Sequence, residues 1–232
     1  MRCYQLQSNE NGCCQNVKLG AVKVTDFFIL FSCKGYWGTE KYVKVNFQKM
    51  FPNSIKSAKV GFMSPDPNAM KDPSYRQVCS GITGHVEVLN VELTDPTPEI
   101  FEALLKFFFQ FHDPTTLNSQ GNDRGTQYAS YIFTTDDKQK EIAEKVIKNL
   151  QALLDNKQVT TFAKDSVTTK VADATEFYVA HAEHQEYLAK NPNGKIDLSR
   201  TQCMSRLPLT QTSSLFFNVS TARILQSLHS LS

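Results

Sequence analysis

The chain has little that would direct it to a membrane, a nucleic acid or a metal ion. Its longest apolar run, Phe27 to Phe31, is far shorter than the ~20 residues that span a bilayer. Its formal net charge of +2 over 232 residues gives no electrostatic reason for nucleic-acid binding. Its 6 cysteines include no Cys-x-x-Cys pair of the kind that binds zinc. We therefore expect no membrane association, no nucleic-acid partner and no metal site.

Secretory features are also missing from the sequence. The N-terminal region has no continuous apolar segment of the kind that forms the centre of a signal peptide. The cysteines are too few, for a chain of this length, to form a disulfide scaffold. We expect free thiols in a reducing compartment. A monomer in the cytoplasm is the prediction, with targeting to an organelle kept as an alternative.

Composition divides the chain into three parts. Residues 1–22 are polar with little periodicity, and we interpret them as a loose N-terminal arm. Residues 23–197 have dense apolar patterns and form the predicted domain. Residues 198–232 contain no Asp or Glu and are rich in Ser, Thr and Leu, which is typical of a disordered or amphipathic tail.

Apolar spacing in the middle part predicts an α+β domain. The predicted strands share short apolar runs and cover residues 24–33, 55–62, 86–93 and 129–134, with further candidates at 159–162 and 167–171. The predicted helices share 3.6-residue spacing and cover residues 38–50, 97–111 and 136–155. Their order, β-α-β-β-α-β over the first 134 residues, predicts a ferredoxin-like split βαβ core with additional strands and helices around it.

A Gly-aromatic-Trp-Gly turn, Gly35 to Gly38, joins the first predicted strand to the first predicted helix. A thiol at such a junction would face unpaired backbone N–H groups and the positive end of the helix, both of which lower its pKa. Position 35 is a glycine, which cannot act as a nucleophile. What the chain does therefore depends on the other groups around this junction.

Glu87 lies in an otherwise apolar predicted strand. Alternation places it on the same face as Leu89, which would be the core side. A buried carboxyl group has a raised pKa and can act as a general acid near neutral pH. The pattern alone leaves a solvent-facing acid on an edge strand as the alternative.

A polar loop bracketed by Gly121 and Gly125 leads into the fourth predicted strand. Its Asp123, and Tyr128 after it, could hold a polar oxygen atom or orient an acid. The alternative for Asp123 is an ordinary turn in which the carboxylate bonds to its own backbone.

The histidines of the middle part are predicted to be structural. His112 ends a predicted helix, where histidine is common as a C-terminal cap. His85 follows a glycine at the start of a strand, where a structural hydrogen bond is its expected role. His184 lies in a predicted helix and is expected to be a surface or core residue rather than a metal ligand.

Seven segments of the chain resemble the peptide methionine sulfoxide reductase A family, in the family's order. They are Phe31–Glu40, Tyr75–Glu87, His112–Pro114, Gln120–Tyr128, Val167–Val171, Phe177–Tyr187 and Lys190–Gly194. The resemblance covers roughly residues 24–195 and leaves extensions at both ends that do not match the family. It implies an α+β fold around a ferredoxin-like sheet. It also implies reduction of the S epimer of methionine sulfoxide, free or in oxidised proteins, with thioredoxin or a dithiol as reductant and no cofactor.

The resemblance also implies roles for individual residues around the first turn. The family's nucleophilic cysteine opens a Gly-Cys-Phe-Trp-Gly motif, and this cysteine corresponds to Gly35. The phenylalanine and tryptophan that enclose the substrate methyl group correspond to Tyr36 and Trp37. The acid that polarises the sulfoxide corresponds to Glu87.

Further family roles fall on distant positions. The two tyrosines that hold the sulfoxide oxygen correspond to Tyr75 and Tyr128, and the supporting acid corresponds to Asp123. Ile196 stands where a first resolving cysteine is expected. Cys203 lies close to the position of a second one and is the candidate resolving residue. The resemblance thus implies an oxygen pocket and a methyl pocket without the attacking sulfur.

Three interpretations of this pattern remain open. In the first, the chain is a pseudoenzyme that has lost catalysis and still binds methionine sulfoxide. In the second, the sequence at 33–36 or at the two termini is imperfect, for example through a mistaken exon boundary. In the third, Cys33 replaces the missing thiol, although it lies about 6–7 Å back along the strand, away from the helix N-terminus. Cys79 matches a family position that is usually structural.

Overall fold

A computed structural model describes residues 28–32 and 35–191 of the chain. The predicted arm at 1–22, the tail at 198–232, Cys33 and Cys203 lie outside the described residues, as do both limits of the predicted domain at 23–197. Within the described ranges, no helix is long and apolar enough to cross a membrane.

A six-stranded sheet forms the centre of the fold. Its strands are β1 (Phe28–Ser32), β2 (Ile55–Met63), β3 (Val86–Leu93), β6 (Tyr131–Thr134), β7 (Lys170–Asp173) and β8 (Tyr178–Val179). They lie in the order β7-β6-β1-β3-β2-β8, and every neighbouring pair is antiparallel except β6 and β7. A separate two-stranded hairpin consists of β4 (Ser119–Gln120) and β5 (Asp123–Arg124). The central order β6-β1-β3-β2 confirms the predicted split βαβ core.

The first helical region runs from residue 35 to residue 50 without a break. It consists of α1 (Gly35–Lys41), a π-helical segment (Tyr42–Phe47) and α2 (Gln48–Met50). The other helices are α3 (Tyr75–Cys79), α4 (Pro98–Phe111), α5 (Asp137–Asp155) and α6 (Tyr187–Lys190). The two long helices, α4 and α5, pack against each other.

Capping hydrogen bonds explain where the long helices begin. The Thr97 hydroxyl accepts the Ile100 amide at 3.3 Å, one residue before α4 starts. The Asp136 carboxylate accepts the Gln139 amide at 2.8 Å at the start of α5. Each cap satisfies an amide that the first helical turn leaves without a partner. The predicted starts of both helices are confirmed to within a residue.

The main hydrophobic core lies on one face of the sheet, and α4 and α5 contribute to it. Leu89 and Val91 of β3 face this core, whereas Val86 and Val88 belong to a smaller cluster on the opposite face. This alternation places Glu87 on the main-core side, where it is only 3% exposed. The prediction of a buried strand carboxyl is confirmed, and the edge-strand alternative is wrong.

Some predicted boundaries are wrong. The first helix begins at Gly35 rather than at residue 38, because the turn itself is already helical. Residues 159–162 do not form a strand, since the Val159 amide folds back onto the Leu153 carbonyl at the end of α5. The strand predicted at 167–171 corresponds to β7, which begins three residues later than predicted. Its parallel pairing with β6 begins at Lys170, opposite Tyr131.

Candidate functional site

The candidate site lies where the end of β1 and the start of β3 meet. Gly35 is the first residue of α1, so the position of the missing nucleophile is at a helix N-terminus. The next residue, Tyr36, donates its backbone amide to Glu87 Oε2 at 3.3 Å. Because the first amides of a helix have no partner within the helix, the Glu87 carboxyl group satisfies this one. The hydrogen bond holds the buried acid within one residue of position 35.

The acidity of Glu87 is strongly weakened in this arrangement. Its pKa is raised to about 8, mainly by burial. The amide of Tyr36 acts in the opposite direction, and the negative charge of Asp123 adds to the rise in pKa. A carboxyl group with this pKa is protonated at neutral pH and can donate a hydrogen bond or a proton.

Tyr75 places its hydroxyl group near the same acid from helix α3. This helix begins with a capping box, in which the Ser74 hydroxyl accepts the Gln77 amide at 3.4 Å and the Gln77 side chain accepts the Ser74 amide at 2.9 Å. The Tyr75 hydroxyl shares a hydrogen bond with Cys79, one turn later. Burial, followed by the charge of Glu87, raises the pKa of Tyr75 well above its usual value. The hydroxyl therefore remains protonated and able to donate.

The polar loop brings Asp123 and Tyr128 to the site. Asp123 belongs to the β4–β5 hairpin, and Tyr128 ends a 3-10 turn that spans Thr126–Tyr128. The Gln127 side chain donates to the Cys79 carbonyl at 3.2 Å, which ties this turn to the end of α3. Asp123 is close enough to raise the pKa of Glu87, and Tyr128 is close enough to raise that of Tyr75. The loop and α3 therefore deliver their side chains to one place.

An aromatic cluster covers the other side of Tyr36. The rings of Trp37 and Tyr187 stack with centroids 3.7 Å apart and planes inclined by 11°. The His184 ring lies 5.8 Å from that of Trp37, 5.7 Å from that of Tyr36 and 4.6 Å from that of Tyr75. His184 is 2% exposed and lies at the centre of this cluster.

The chain segment that carries His184 is a turn rather than the predicted helix. The His184 amide bonds to the His181 carbonyl at 2.9 Å, and Glu186 adopts a left-handed conformation with φ 55° before α6 begins. Its amide donates to Glu40 Oε2 at 2.7 Å, and the Gln185 side chain bonds to both the amide and the carbonyl of Val60. These bonds attach the turn to the first helical region and to β2.

Sequence reasoning missed three members of this site. Cys79 is spaced one helical turn from Tyr75, but a helix as short as α3 gives no apolar period from which to infer it. His184 and Tyr187 lie within the family-like segment Phe177–Tyr187. This resemblance is the signal that could have found them.

Two other histidines have the structural roles that the sequence predicts. His112 Nδ1 donates to the Phe108 carbonyl at 2.7 Å and its Nε2 accepts from the Ser130 hydroxyl at 3.1 Å, which makes it the cap of α4. Burial lowers the pKa of His112 to about 4, so the ring is neutral. His85 Nδ1 bonds to the Thr83 carbonyl at 3.1 Å. Within residues 28–32 and 35–191, no cluster of His, Cys, Asp and Glu is placed to hold a metal ion.

The structure thus brings seven predicted positions together, one of which is the buried acid. They are Gly35, Tyr36, Trp37, Tyr75, Glu87, Asp123 and Tyr128. The model of the peptide methionine sulfoxide reductase family matches residues 28–213. The chain belongs to this family. The matched segment begins at β1 and includes every residue of the site described above.

Relatives and solved structures of methionine sulfoxide reductases agree with this assignment. Peptide methionine sulfoxide reductase MsrA 1 of Rhodopirellula baltica is 40% identical over 159 residues, which is 68% of this chain and 72% of that protein. The MsrA of Vibrio cholerae is 41% identical over 174 residues, 75% of this chain and 74% of that protein.

Two solved structures have the same fold. Mxr1 from Saccharomyces cerevisiae in its reduced form has a TM-score of 0.60 at 34% identity, and the match covers 74% of this chain and 88% of that one. Methionine sulfoxide reductase A of Corynebacterium diphtheriae has a TM-score of 0.59 at 31% identity, with 73% and 77% covered. The predicted α+β fold and the resemblance to this family of oxidoreductases are confirmed.

Proposed function

We propose that this methionine sulfoxide reductase family member binds S-methionine sulfoxide, free or in proteins, and that the chain as written lacks the sulfur needed to reduce it. The observation that supports the proposal is the buried carboxyl group of Glu87, held beside position 35 by the Tyr36 amide, and burial raises its pKa to about 8, so that it is protonated at neutral pH. A neutral acid at this point has a donor to offer to an uncharged polar ligand.

The sulfoxide oxygen is the part of the ligand that these groups suit. It is a strong hydrogen-bond acceptor and has no proton to donate. Protonated Glu87 and the hydroxyl groups of Tyr75 and Tyr128 supply donors to such an atom. A hydrogen bond contributes about 0.5–1.5 kcal/mol net, so two or three of them favour the sulfoxide over the sulfide by about ten- to a hundredfold.

The methyl end of the ligand suits the aromatic cluster. Trp37 and Tyr187 present stacked rings, and a sulfur or methyl group gains from contact with aromatic surface. This division into a donor end and an aromatic end would distinguish methionine sulfoxide from a more polar oxidised side chain.

Reduction needs a step that position 35 cannot perform. A thiolate must attack the sulfoxide sulfur while an acid protonates the oxygen, which releases methionine and leaves a sulfenic acid on the attacking sulfur. A second thiol then condenses with the sulfenic acid, and a dithiol reduces the resulting disulfide. Glycine can accept no oxygen. We accordingly propose thioredoxin as a partner only for a form that has a working thiol, at Cys33 or restored at position 35.

The binding function has few other requirements. It needs no cofactor, no metal ion and no reductant. Cys203 would act only after a sulfenic acid had formed, so it has no part in binding. The cytoplasmic location and the monomeric state stay predictions from the sequence.

Calorimetry with two matched peptides tests this function. An S-methionine sulfoxide peptide should bind about ten- to a hundredfold more tightly than the same peptide with methionine at pH 6.5, because the oxygen gains hydrogen bonds. The preference should fall as the pH rises through about 8, where Glu87 loses its proton. Glu87→Ala should abolish most of it, whereas Glu141→Ala on the exposed face of α5 should not. Equal affinity for the two peptides would contradict the proposal.

A further inference from the structure

The hydroxyl group of Tyr36 is buried and has no hydrogen-bond partner among the described residues. The side chain as a whole is only 2% exposed, so bulk solvent does not reach it. A buried polar group without a partner costs free energy, and native structures rarely retain one without a reason. A ligand that brings an acceptor to this hydroxyl would supply the missing partner.

The Tyr36 ring packs beside the same rings as the Tyr75 ring. The Tyr36 ring packs 5.9 Å from Phe62 and 5.7 Å from His184. The Tyr75 ring packs against the same two rings, at 6.2 Å and 4.6 Å. The two tyrosines thus share both neighbours, and the Tyr36 backbone amide bonds directly to Glu87.

The charges that act on Tyr36 point to the same place. Burial raises its pKa well above the usual value, and Glu87, Tyr75, Cys79 and Tyr128 raise it further. These are the groups that surround the oxygen site. The hydroxyl accordingly keeps its proton and can only act as a donor to a bound acceptor.

Neighbouring rings also have unpartnered polar atoms. Within the described part of the chain, Trp37 Nε1 and His184 Nδ1 are buried and lack partners, as the Tyr36 hydroxyl does. The three rings are mutually stacked, with centroids 5.7 to 6.2 Å apart. A polar group of a ligand, or ordered water, at the border of this cluster would supply the partners that these three atoms lack.

We propose that the Tyr36 hydroxyl donates an additional hydrogen bond to the bound sulfoxide oxygen and so determines specificity for the oxidised ligand. The family motif has phenylalanine at this position, which encloses a methyl group and has no donor. This chain would therefore bind the sulfoxide with one more hydrogen bond than the motif provides. The inference rests on the proposed function, since it assigns a further donor to the same site.

The substitution Tyr36→Phe tests the inference because it removes only the hydroxyl group. Calorimetry should show a roughly three- to tenfold weaker affinity for the S-sulfoxide peptide and an unchanged affinity for the methionine peptide. Tyr42→Phe is the matched control, since the Tyr42 ring packs 5.0 Å from Phe111 in the core and not in the site. It should leave both affinities unchanged.

The thermal midpoint gives a readout that a merely structural role would not produce. Without ligand, Tyr36→Phe should unfold at the same temperature as the wild type or higher, because no hydrogen bond is lost. Carbon-13 NMR of the tyrosine ζ carbons should show one shifting resonance in addition to those of Tyr75 and Tyr128. This resonance should shift with the sulfoxide peptide and not with the methionine peptide.

The outcomes separate this inference from the function on which it rests. If the wild type prefers the sulfoxide and Tyr36→Phe retains the full preference, the Tyr36 inference is overturned and the proposed function stands. If the wild type binds both peptides equally, both fail. A destabilised Tyr36→Phe protein, or the absence of the additional tyrosine shift, would also overturn the inference.

Discussion

A neutral glutamic acid, Glu87, lies next to the first turn of α1, which begins with a glycine, Gly35. Burial holds Glu87 in its protonated form. Its effect outweighs that of the Tyr36 amide, which stabilises the charged form. Gly35 adds no charge to the helix N-terminus that would favour ionisation of this acid further. Glu87 and the Tyr75 hydroxyl therefore remain neutral donors, which suits binding of an uncharged sulfoxide.

The pH dependence of stability should report the buried Glu87. Its pKa is about 8 in the folded protein and about 4.3 in an unfolded chain, so between these values the folded state holds one more proton. The free energy of unfolding should therefore fall as the pH rises from about 5 to 8, by at most ~1.4 kcal/mol per pH unit from this group. Glu87→Gln should flatten this part of the profile.

Urea denaturation at pH 5, 6.5 and 8 measures the difference. Glu141→Gln, on the exposed face of α5, is the control and should keep the wild-type slope. A Glu87→Gln profile parallel to that of the wild type would show that the carboxyl group titrates normally.

Glu87 and His184 show how far sequence reasoning reaches for single residues. The face of Glu87 follows from strand alternation, which needs only a few neighbouring residues. The position of His184 depends on bonds from its turn to Glu40 and Val60, which are 146 and 125 residues away from their partners. No local pattern contains such information, so the helix prediction there was wrong.

The edge strand β8 lies just before the turn that contributes His184 to the aromatic cluster. Its two residues pair with Gly61 and Phe62 of β2, and the turn with His184 follows directly. A Cβ atom added at Gly61 would clash with the Tyr178 carbonyl and lie 2.6 Å from the Phe177 ring. Glycine at position 61 is therefore what allows β8 to approach β2.

Gly61→Ala should destabilise the protein by about 1–3 kcal/mol, because the clash is with backbone that cannot rotate away. It should also weaken binding of the sulfoxide peptide, since β8 holds the His184 turn in place. Gly38→Ala is the matched control: the added Cβ has no heavy atom within 4 Å, and alanine favours a helix, so stability should be equal or higher. An unchanged urea midpoint for Gly61→Ala would contradict the claim that glycine at position 61 allows β8 to approach β2.

Predictions of helices and strands from the sequence succeeded where the segment was long enough to repeat its apolar spacing several times. They failed where the segment was short. The 14 residues of α4 and the 19 of α5 give several turns of apolar spacing with a capping residue in front. Helix α3 has 5 residues, and only the Ser74–Gln77 capping box indicates it. The two-residue strands of the β4–β5 hairpin have no period at all and form because the chain reverses through Gly121 at φ 61°.

The whole molecule assembles the site from five segments far apart in the sequence. The pairing of Phe31 with Leu89 brings the end of β1 and the start of β3 to the same end of the sheet. Helix α3, the β4–β5 hairpin and the His184 turn then pack around these strand ends. Since these contacts are held by the fold and none of them requires a side chain at position 35, the site should tolerate the return of a thiol.

Gly35→Cys should accordingly convert the chain into a dithiothreitol-dependent reductase. A thiol at the start of α1 gains the helix N-terminus, which lowers its pKa, and Glu87 beside it can protonate the departing oxygen. The chain as written should show no more than background turnover of S-methionine sulfoxide, because loss of a nucleophile commonly costs on the order of 10³-fold or more. Some shortfall from full activity is expected, since glycine gives the backbone freedom that cysteine lacks.

Methionine release measured by chromatography distinguishes the possible outcomes. Serine has nearly the same volume as cysteine but carries an oxygen in place of the sulfur, so Gly35→Ser should remain inactive. Gly35→Cys with Glu87→Gln should lose about 10²-fold or more relative to Gly35→Cys alone, because the acid is then absent. A well-folded Gly35→Cys protein without turnover would contradict a preformed site. Turnover by the unmodified chain within tenfold of Gly35→Cys would instead reveal another working thiol, and its loss in Cys33→Ser would assign that thiol to Cys33.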